Sequence, residues 1–379
     1  MSVYADYNAG APTRPEAIAA MNRALEMGGN ASSVHGFGRR AKAIMESARE
    51  DIGRAICARP ADIVFTSGAT EALHLALAGA RAAGAGPDLI LSALEHDALA
   101  EGAAMIWPDA KIAPALKSGI VDFGALRSLV RAVSGKPLLA LQIANNETGA
   151  IQPVQAAANL IHEAGGYLLV DAAQGLGKTP LDAAAIGADY LVLSSHKVGG
   201  PPGAGALVLG CDAPFVAPRR GGGQEQGRRP GTENVSAIAG FAAACVAATD
   251  NLDAEAGRLA LLRGHFETEL RARFADVAIF AQEADRLTNT SLFAIPCLRA
   301  EAALIALDLE GVALSSGAAC SSGKVRPSRV LQAMGVAPEL ARCALRVSFG
   351  WASSFADVEH VLSALSQVST RARYREAVS

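Results

Sequence analysis

Two residues stand in contexts suited to chemistry. The 379-residue chain holds seven lysines and six cysteines. Lys197 directly follows the apolar run Tyr190–Ser194 and precedes the turn residues Gly199-Gly200-Pro201-Pro202-Gly203. Partial burial there lowers an amine's pKa and frees it as a nucleophile; the plainer alternative is a surface lysine in a tight turn. The other six lysines lie in loops or amphipathic segments and read as solvated. Cys320 lies within Ser315-Ser316-Gly317-Ala318-Ala319-Cys320-Ser321-Ser322-Gly323. A structural cysteine prefers apolar neighbours, whereas an accessible thiol in a polar loop can become a reactive thiolate. The alternative is an incidental exposed cysteine. The remaining five have apolar or helical contexts and read as inert.

Three further features fall at the ends of apolar runs, and a fourth lies inside one. Ser67-Gly68-Ala69-Thr70-Glu71 opens a helix after a strand. Small residues there let backbone N–H groups approach an anion, with Thr70 adding a hydroxyl; taken alone, an ordinary N-cap by Ser67 or Thr70 is the plainer reading. His96, in Leu94-Glu95-His96-Asp97, closes a strand at the same edge, or simply caps it. Asp171 ends Tyr167–Asp171, where open α/β sheets bind ligands. It does not belong to a nucleotide-phosphate loop: Gly177-Lys178-Thr179 would need a glycine where Ala172 stands, and would have to precede the aspartate. A strand-end aspartate also suits the ring nitrogen of pyridoxal phosphate (PLP), whose lysine anchor Lys197 would supply. Arg346 is a charge inside an apolar strand and needs an anion, either a bound carboxylate or a structural ion-pair partner.

These residues need a scaffold that brings strand ends together. Six short apolar runs read as strands: Asp62–Thr66, Asp88–Ser92, Leu138–Ile143, Tyr167–Asp171, Tyr190–Ser194 and Gly205–Leu209. Ala-rich segments such as Pro153–Ala164 read as intervening helices. This pattern predicts an α/β fold with a mostly parallel sheet covered on both faces. Gly221–Gly231 is a basic, Gly-rich loop, followed by a helical region from Asn234 to about Leu270. Beyond it, Thr290–Ile295, Val312–Ser315 and Leu345–Ser348 read as strands. Glu301–Asp308, Arg329–Met334 and a segment from Phe355 read as helices. That mixed order predicts a smaller α+β domain.

Composition narrows the class. Lys plus Arg number 34 against 37 Asp plus Glu, a net charge of −3, with 51% hydrophobic residues. Such a chain buries a large core, which excludes disorder, and carries no basic footprint for nucleic acid. No CxxC pair suggests zinc. The N-terminus lacks a signal-peptide pattern, and the longest apolar stretch, Val235–Ala248, is too short for a membrane span and reads as a buried helix. The expectation is a soluble cytoplasmic protein with reduced thiols.

The motifs together resemble the cysteine desulfurases of the NifS/IscS type, fold-type I PLP enzymes of the class V aminotransferase family. The resemblance runs from Asp6-Tyr7-Asn8-Ala9 through VFTSGATE, Asn145-Asn146-Glu147-Thr148-Gly149, VDAAQ, SSHK, GGGQEQGRRPGTEN and SSGAACSS to the Arg346 strand. It implies a seven-stranded, mostly parallel sheet in a large PLP domain (14–255) and a small domain (1–13 and 256–379) carrying the cysteine loop. It implies that Lys197 anchors PLP, Asp171 pairs with the ring nitrogen and Gln174 with the phenolic oxygen. Ala69, Thr70, Ser194 and His196 would bind the phosphate, with Thr232 reaching the phosphate of a partner subunit in a homodimer. His96 would stack on the ring and assist proton transfer. Asn146 and Arg346 would hold the carboxylate of L-cysteine. Cys320 would take the sulfur as a persulfide, release alanine, and pass the sulfur to an acceptor protein such as an iron–sulfur scaffold. Other enzymes of this scaffold, a selenocysteine lyase or a class V aminotransferase, are the alternatives. Departures from the usual pattern are Ser195 in SSHK, Gly199 and Pro202 after the lysine, Gln226 in the Gly-rich loop, and Gly10-Ala11.

Overall fold

The computed structural model describes residues 2–86, 88–316, 320–321, 324–325 and 328–378, and in it the apolar runs become strands. After Val3–Tyr4 (β1) come Ile63–Thr66 (β2), Leu89–Ser92 (β3), Lys111–Ala113 (β4), Leu138–Gln142 (β5), Tyr167–Asp171 (β6), Tyr190–Ser194 (β7) and Gly205–Leu209 (β8). The last seven form one sheet, ordered β2-β8-β7-β6-β5-β3-β4. Only β8 runs against its neighbours, so the sheet is mostly parallel. The six strands read from the sequence are all present. The seventh, edge strand β4, is only three residues long, and its Ile112 is exposed, so it carries little apolar signal.

The period-two alternation of a strand sorts its side chains between two cores. Ile63, Phe65, Leu139, Leu141, Leu168, Val170, Leu191 and Leu193 enter one buried cluster. Val64, Leu138, Ala140, Leu169, Tyr190 and Val192 enter the other. Helices cover both faces: α1 (Pro15–Met27), α2 (Gly36–Ala55), α3 (Ala69–Ala82), α4 (Asp97–Ile106), α5 (Phe123–Ala132), α6 (Val154–Glu163), the short α7 (Ala183–Ile186) and α8 (Val235–Thr249). Met45 and Ile52 of α2 and Phe241 of α8 pack on the first face; Leu73 and Leu77 of α3 and Leu99 of α4 pack on the second. The helical region expected from Asn234 to Leu270 is two helices, α8 and α9 (Leu252–Arg273), bent by 74° between them. No single described helix is long and apolar enough to cross a membrane.

A second core lies C-terminal. Its elements are Ala278–Ile279 (β9), Thr290–Ala294 (β10), Ala300–Leu309 (α10), Val312–Ala313 (β11), Ser315–Ser316 (β12), Cys320–Ser321 (β13), Lys324–Val325 (β14), Arg329–Ala333 (α11), Pro338–Ala341 (α12), Ala344–Ser348 (β15) and Phe355–Val378 (α13). The expected strand Val312–Ser315 splits: β11 pairs with the N-terminal β1, while β12 joins an antiparallel sheet of order β12-β15-β10-β9. Phe266 packs edge-on against Phe293 and Phe349 (ring centroids 5.5 and 6.0 Å) at the centre of this core, against Val358, Leu362 and Leu365 of α13. Val3 and Ala5 are buried in the same core, so the first residues of the chain belong physically to its last third.

Candidate active site

The carboxyl ends of β5, β6 and β7 open onto a cavity of about 450 Å³. Asp171, Gln174, Ser194, His196 and Lys197 line it from the β6 and β7 ends; Ala69, Thr70, His96 and Asn146 close it from the α3, α4 and β5 sides. These nine residues, singled out in the sequence, therefore meet in one place. Thr232 does not line this cavity and is exposed. Cys320 lies on β13, paired with Val325 of β14; its side chain and the neighbouring residues 317–319 and 322–323 lie outside the described residues.

The floor is an anion site by construction. Helix α3 begins at Ala69 with Gly68 as N-cap and no capping side chain, so neither Ser67 nor Thr70 uses its hydroxyl as a cap. The first-turn N–H groups stay available, and the helix dipole favours negative charge there. Gly205 of β8 lets the sheet approach this turn: a Cβ on it would sit 2.7 Å from the Gly68 backbone. Glu71 ties the turn down by accepting the Ser67 N–H (2.6 Å) and pairing with Arg229 of the Gly-rich loop (2.9 Å). Burial works against its charge, but Arg229 and the Ser67 amide outweigh it and hold the carboxyl at about 2. Ser194 Oγ and His196 Nδ1 are 3.2 Å apart beside this floor. Burial, then the charges of Lys197 and Lys178, push His196 down to about 4, so its ring is neutral at neutral pH.

Asp171 ends β6 next to Gln142 of β5 and Val192 of β7. Its Oδ1 accepts the Ala173 N–H at 2.9 Å, and its Oδ2 has no hydrogen-bond partner among the described residues. Burial raises its pKa, opposed by the Ala173 N–H and by His96 and Lys197. That combination suits a carboxylate waiting for a cation or an N–H donor. His96 caps α4 by accepting the Ala98 N–H on Nδ1 (3.1 Å), which assigns its neutral-form proton to Nε2.

Lys197 donates to the carbonyls of Asn8 (2.5 Å) and Ala9 (2.9 Å). Burial and then the Arg346 charge lower it to about 8, with Asp6 and Asp171 opposing. Arg346, 5% exposed, pairs with Asp6 (2.6 Å) and donates to the Asn146 carbonyl (3.0 Å), while its Nε has no partner among the described residues. The structure thus contains the ion pair that was one reading of Arg346, and Arg346 is not among the residues lining the cavity.

Sequence reasoning missed several residues here. Asn8 is a hub: besides the contacts above, its Nδ2 donates to Thr290 Oγ1 (2.8 Å) and Asn146 O (3.1 Å). Glu95 is buried beside His96, and burial raises its pKa well above the carboxylate range. Lys178 corrects the reading of six solvated lysines. It is partly buried, and its Nζ donates to Gln174 Oε1 (2.5 Å) and Asn8 Oδ1 (2.9 Å). The apolar or helical surroundings read for the five cysteines other than Cys320 do not hold for Cys57, Cys211 and Cys297, which are exposed. Cys245 fits that reading: burial inside α8 pushes its thiol up to about 12.

Comparison with known proteins places this geometry. The sheet, the second core and the cavity at the strand ends define a fold-type I architecture. A NifS-like protein from Rickettsia africae superposes with a TM-score of 0.90 at 31% identity, covering 98% of this chain and 100% of that one. The structure of SspA in complex with cysteine superposes at a TM-score of 0.79 and 26% identity, over 92% and 99% of the two chains. The aminotransferase class-V family model matches residues 3–361. Cysteine desulfurase IscS of Dictyoglomus turgidum is 36% identical over 377 residues, 98% of this chain and 95% of its own length. The IscS-like cysteine desulfurase of Mycobacterium tuberculosis is also 36% identical, over 98% and 97%. This chain belongs to the aminotransferase class-V family, in its IscS/NifS-like group.

Proposed function

We propose that this protein is a PLP-dependent cysteine desulfurase, converting L-cysteine and the Cys320 thiol into L-alanine and a Cys320 persulfide. The observation that carries the reading is the convergence of Asp171, with one free carboxylate oxygen, and Lys197, with its lowered pKa, on a cavity floored by an uncapped helix N-terminus. These groups fit PLP. The α3 amides, Thr70, Ser194 and His196 would hold its phosphate, Asp171 its ring nitrogen, Gln174 its phenolic oxygen and Lys197 its aldehyde carbon. Bound there, PLP supplies an electron sink for charge leaving the substrate Cα.

The chain's own residues do the rest. Arg346 and Asn146 orient the substrate carboxylate. Lys197 and His96 move protons to and from the substrate carbons. The Cys320 thiolate attacks the substrate sulfur, forming the S–S bond as the Cβ–S bond breaks and its electron pair goes to Cβ, which takes a proton. The sulfur then passes to an acceptor protein such as an iron–sulfur scaffold. The homodimer, with Thr232 reaching the partner's phosphate, the cytoplasmic location, and the division into 14–255 and 1–13 with 256–379 belong to the same reading. The N-terminal residues buried in the second core support that division.

The test is direct. Protein loaded with PLP is incubated with L-cysteine, alanine is quantified, and peptides are mapped by mass spectrometry. One sulfur of added mass on Cys320, absent in Cys320→Ala, is expected. Alanine formation and persulfide transfer unchanged by that substitution would overturn the assignment in favour of an enzyme that does not use the thiol.

A further inference from the structure

Lys178 lies behind the main cavity. It lines a small space of about 30 Å³ that it shares with Lys197. Its Nζ contacts two side-chain amides, Gln174 Oε1 at 2.5 Å and Asn8 Oδ1 at 2.9 Å. An amine offers N–H donors, so both amide oxygens turn toward it and both NH₂ groups turn away. On Asn8, Nδ2 is directed to Thr290 Oγ1 and Asn146 O. On Gln174, Nε2 donates to Asn8 O at 2.9 Å with one N–H bond, leaving a second N–H on the side chain that lines the main cavity. Asn8 O is also the acceptor closest to the Lys197 amine. A glutamine amide has two orientations half a turn apart, here one presenting N–H to the cavity and the other presenting oxygen. This one is held from both ends, by Lys178 on its oxygen and Asn8 O on its nitrogen.

We propose that Lys178 is a positioning residue for the cofactor site. By holding the Gln174 amide oxygen and, with Asn289 Nδ2, the Asn8 amide oxygen, it fixes the Gln174 NH₂ toward the phenolic oxygen of PLP and keeps the Asn8 carbonyl on the Lys197 amine. This rests on the roles given to Gln174 and Lys197 above. A phenolic oxygen carrying negative charge needs a donor; a reversed amide would set oxygen against oxygen and lose a charge-assisted hydrogen bond. Two N–H bonds suffice for the two contacts, so the role does not require the third proton. Burial, and then the Lys197 and Arg346 charges, push Lys178 well below the usual lysine range, which agrees with an amine serving as a local donor.

The test is a double-mutant cycle read by spectroscopy. The wild type, Lys178→Met, Gln174→Ala and the double variant are loaded with PLP, and the visible absorbance of each is titrated with pH. Losing a donor to the phenolic oxygen should raise the titration midpoint by about one pH unit in Lys178→Met. Gln174→Ala should do the same, and the double variant should shift no further than Gln174→Ala alone. Lys178→Gln, whose shorter amide cannot reach both oxygens, replaces the methionine variant if that does not fold, with the same shift expected. An unshifted midpoint at position 178, or single shifts that add in the double variant, overturns the proposal. A wild type that takes up no PLP overturns the reading of the site itself.

Discussion

Lys197 is an amine held by two carbonyls and buried beside the Arg346 charge, with Asp6 and Asp171 opposing, and its behaviour follows from that. Its pKa of about 8 makes it half deprotonated roughly two units below an exposed lysine. In the cofactor-free protein, acylation of Lys197 followed by peptide mass spectrometry should therefore rise through a midpoint near 8. A midpoint at the ordinary lysine value would show that burial does not tune it. The same shift has a stability consequence. Between the folded pKa and the unfolded one, the unfolded chain keeps a proton the folded chain has lost, so this group makes stability rise with pH across that window. Strand-end position was enough to find Lys197 and Asp171 from the sequence, because buried strands place their last residue at a common edge. Lys178 was misread because its burial comes from Asn8, 170 positions away, and nothing local to Gly177 or Thr179 signals that. Gly199 shows the same kind of distant cause: a Cβ there would sit 2.7 Å from Arg14 Cγ, so the glycine belongs to the arginine whose Nε donates to Val198 O.

Elements meet at buried charges, and two such joints frame the site. Arg49 of α2 and Glu225 of the Gly-rich loop form a bidentate pair (2.9 Å each), and Glu225 also accepts the Phe65 N–H of β2. The loop that carries Thr232 is thereby fixed to the strand that leads into α3. The second joint is Glu147, after β5, which accepts the Ser328 hydroxyl at the start of α11 (2.5 Å). Burial raises its pKa to about 7, with Ser328 and Arg346 opposing and Asp97 assisting. The folded protein then keeps a proton that the unfolded chain, with a glutamate near 4.3, has already lost. Stability should therefore fall as pH rises across that interval. Glu147→Gln keeps an acceptor for Ser328 and removes the titration. Urea unfolding at about pH 5 and about pH 7 should show the variant losing less stability than the wild type, by about 2–3 kcal/mol. Equal slopes would place the pH dependence elsewhere, on Glu95 or Asp171. Neither joint is legible in the sequence, where charged residues read as surface; the strands are, because period-two alternation and short apolar runs are local. The break between α8 and α9 at Asp250-Asn251 escaped notice because the residues on both sides favour helix.

At the scale of the whole molecule, the first fourteen residues stitch the two cores together. β1 pairs with β11, Ala5 O accepts the Ser348 N–H (2.8 Å), and Tyr7 N–H donates to Ser348 O (3.2 Å). The segment then crosses to the site, where Asn8 meets Lys197, and continues to the loop after β7, where Ala11 N–H donates to His196 O and Arg14 N–H to Gly199 O (2.8 Å each). Its tightest point is Tyr7, 4% exposed, whose ring lies where a Cβ on Gly350 would be only 1.9 Å from Cδ1. The glycine after β15 is therefore the space the segment needs. Gly350→Ala must displace either the Tyr7 ring or the 349–351 backbone, whose Gly350 carbonyl also accepts Arg258 Nη2 (2.8 Å). Overpacking of this kind costs about 1–3 kcal/mol, and displacement of Tyr7 carries Asn8 with it. The expected outcome is a lower urea midpoint for the cofactor-free variant, together with weaker retention of PLP on dialysis than the wild type shows. A variant that unfolds at the wild-type midpoint would mean that the segment accommodates a methyl group at this crossing and that Tyr7 is not the wedge. A variant with a lowered midpoint but wild-type retention would separate the two roles, leaving the stitching between the cores intact as an explanation and removing its coupling to the Lys197 site.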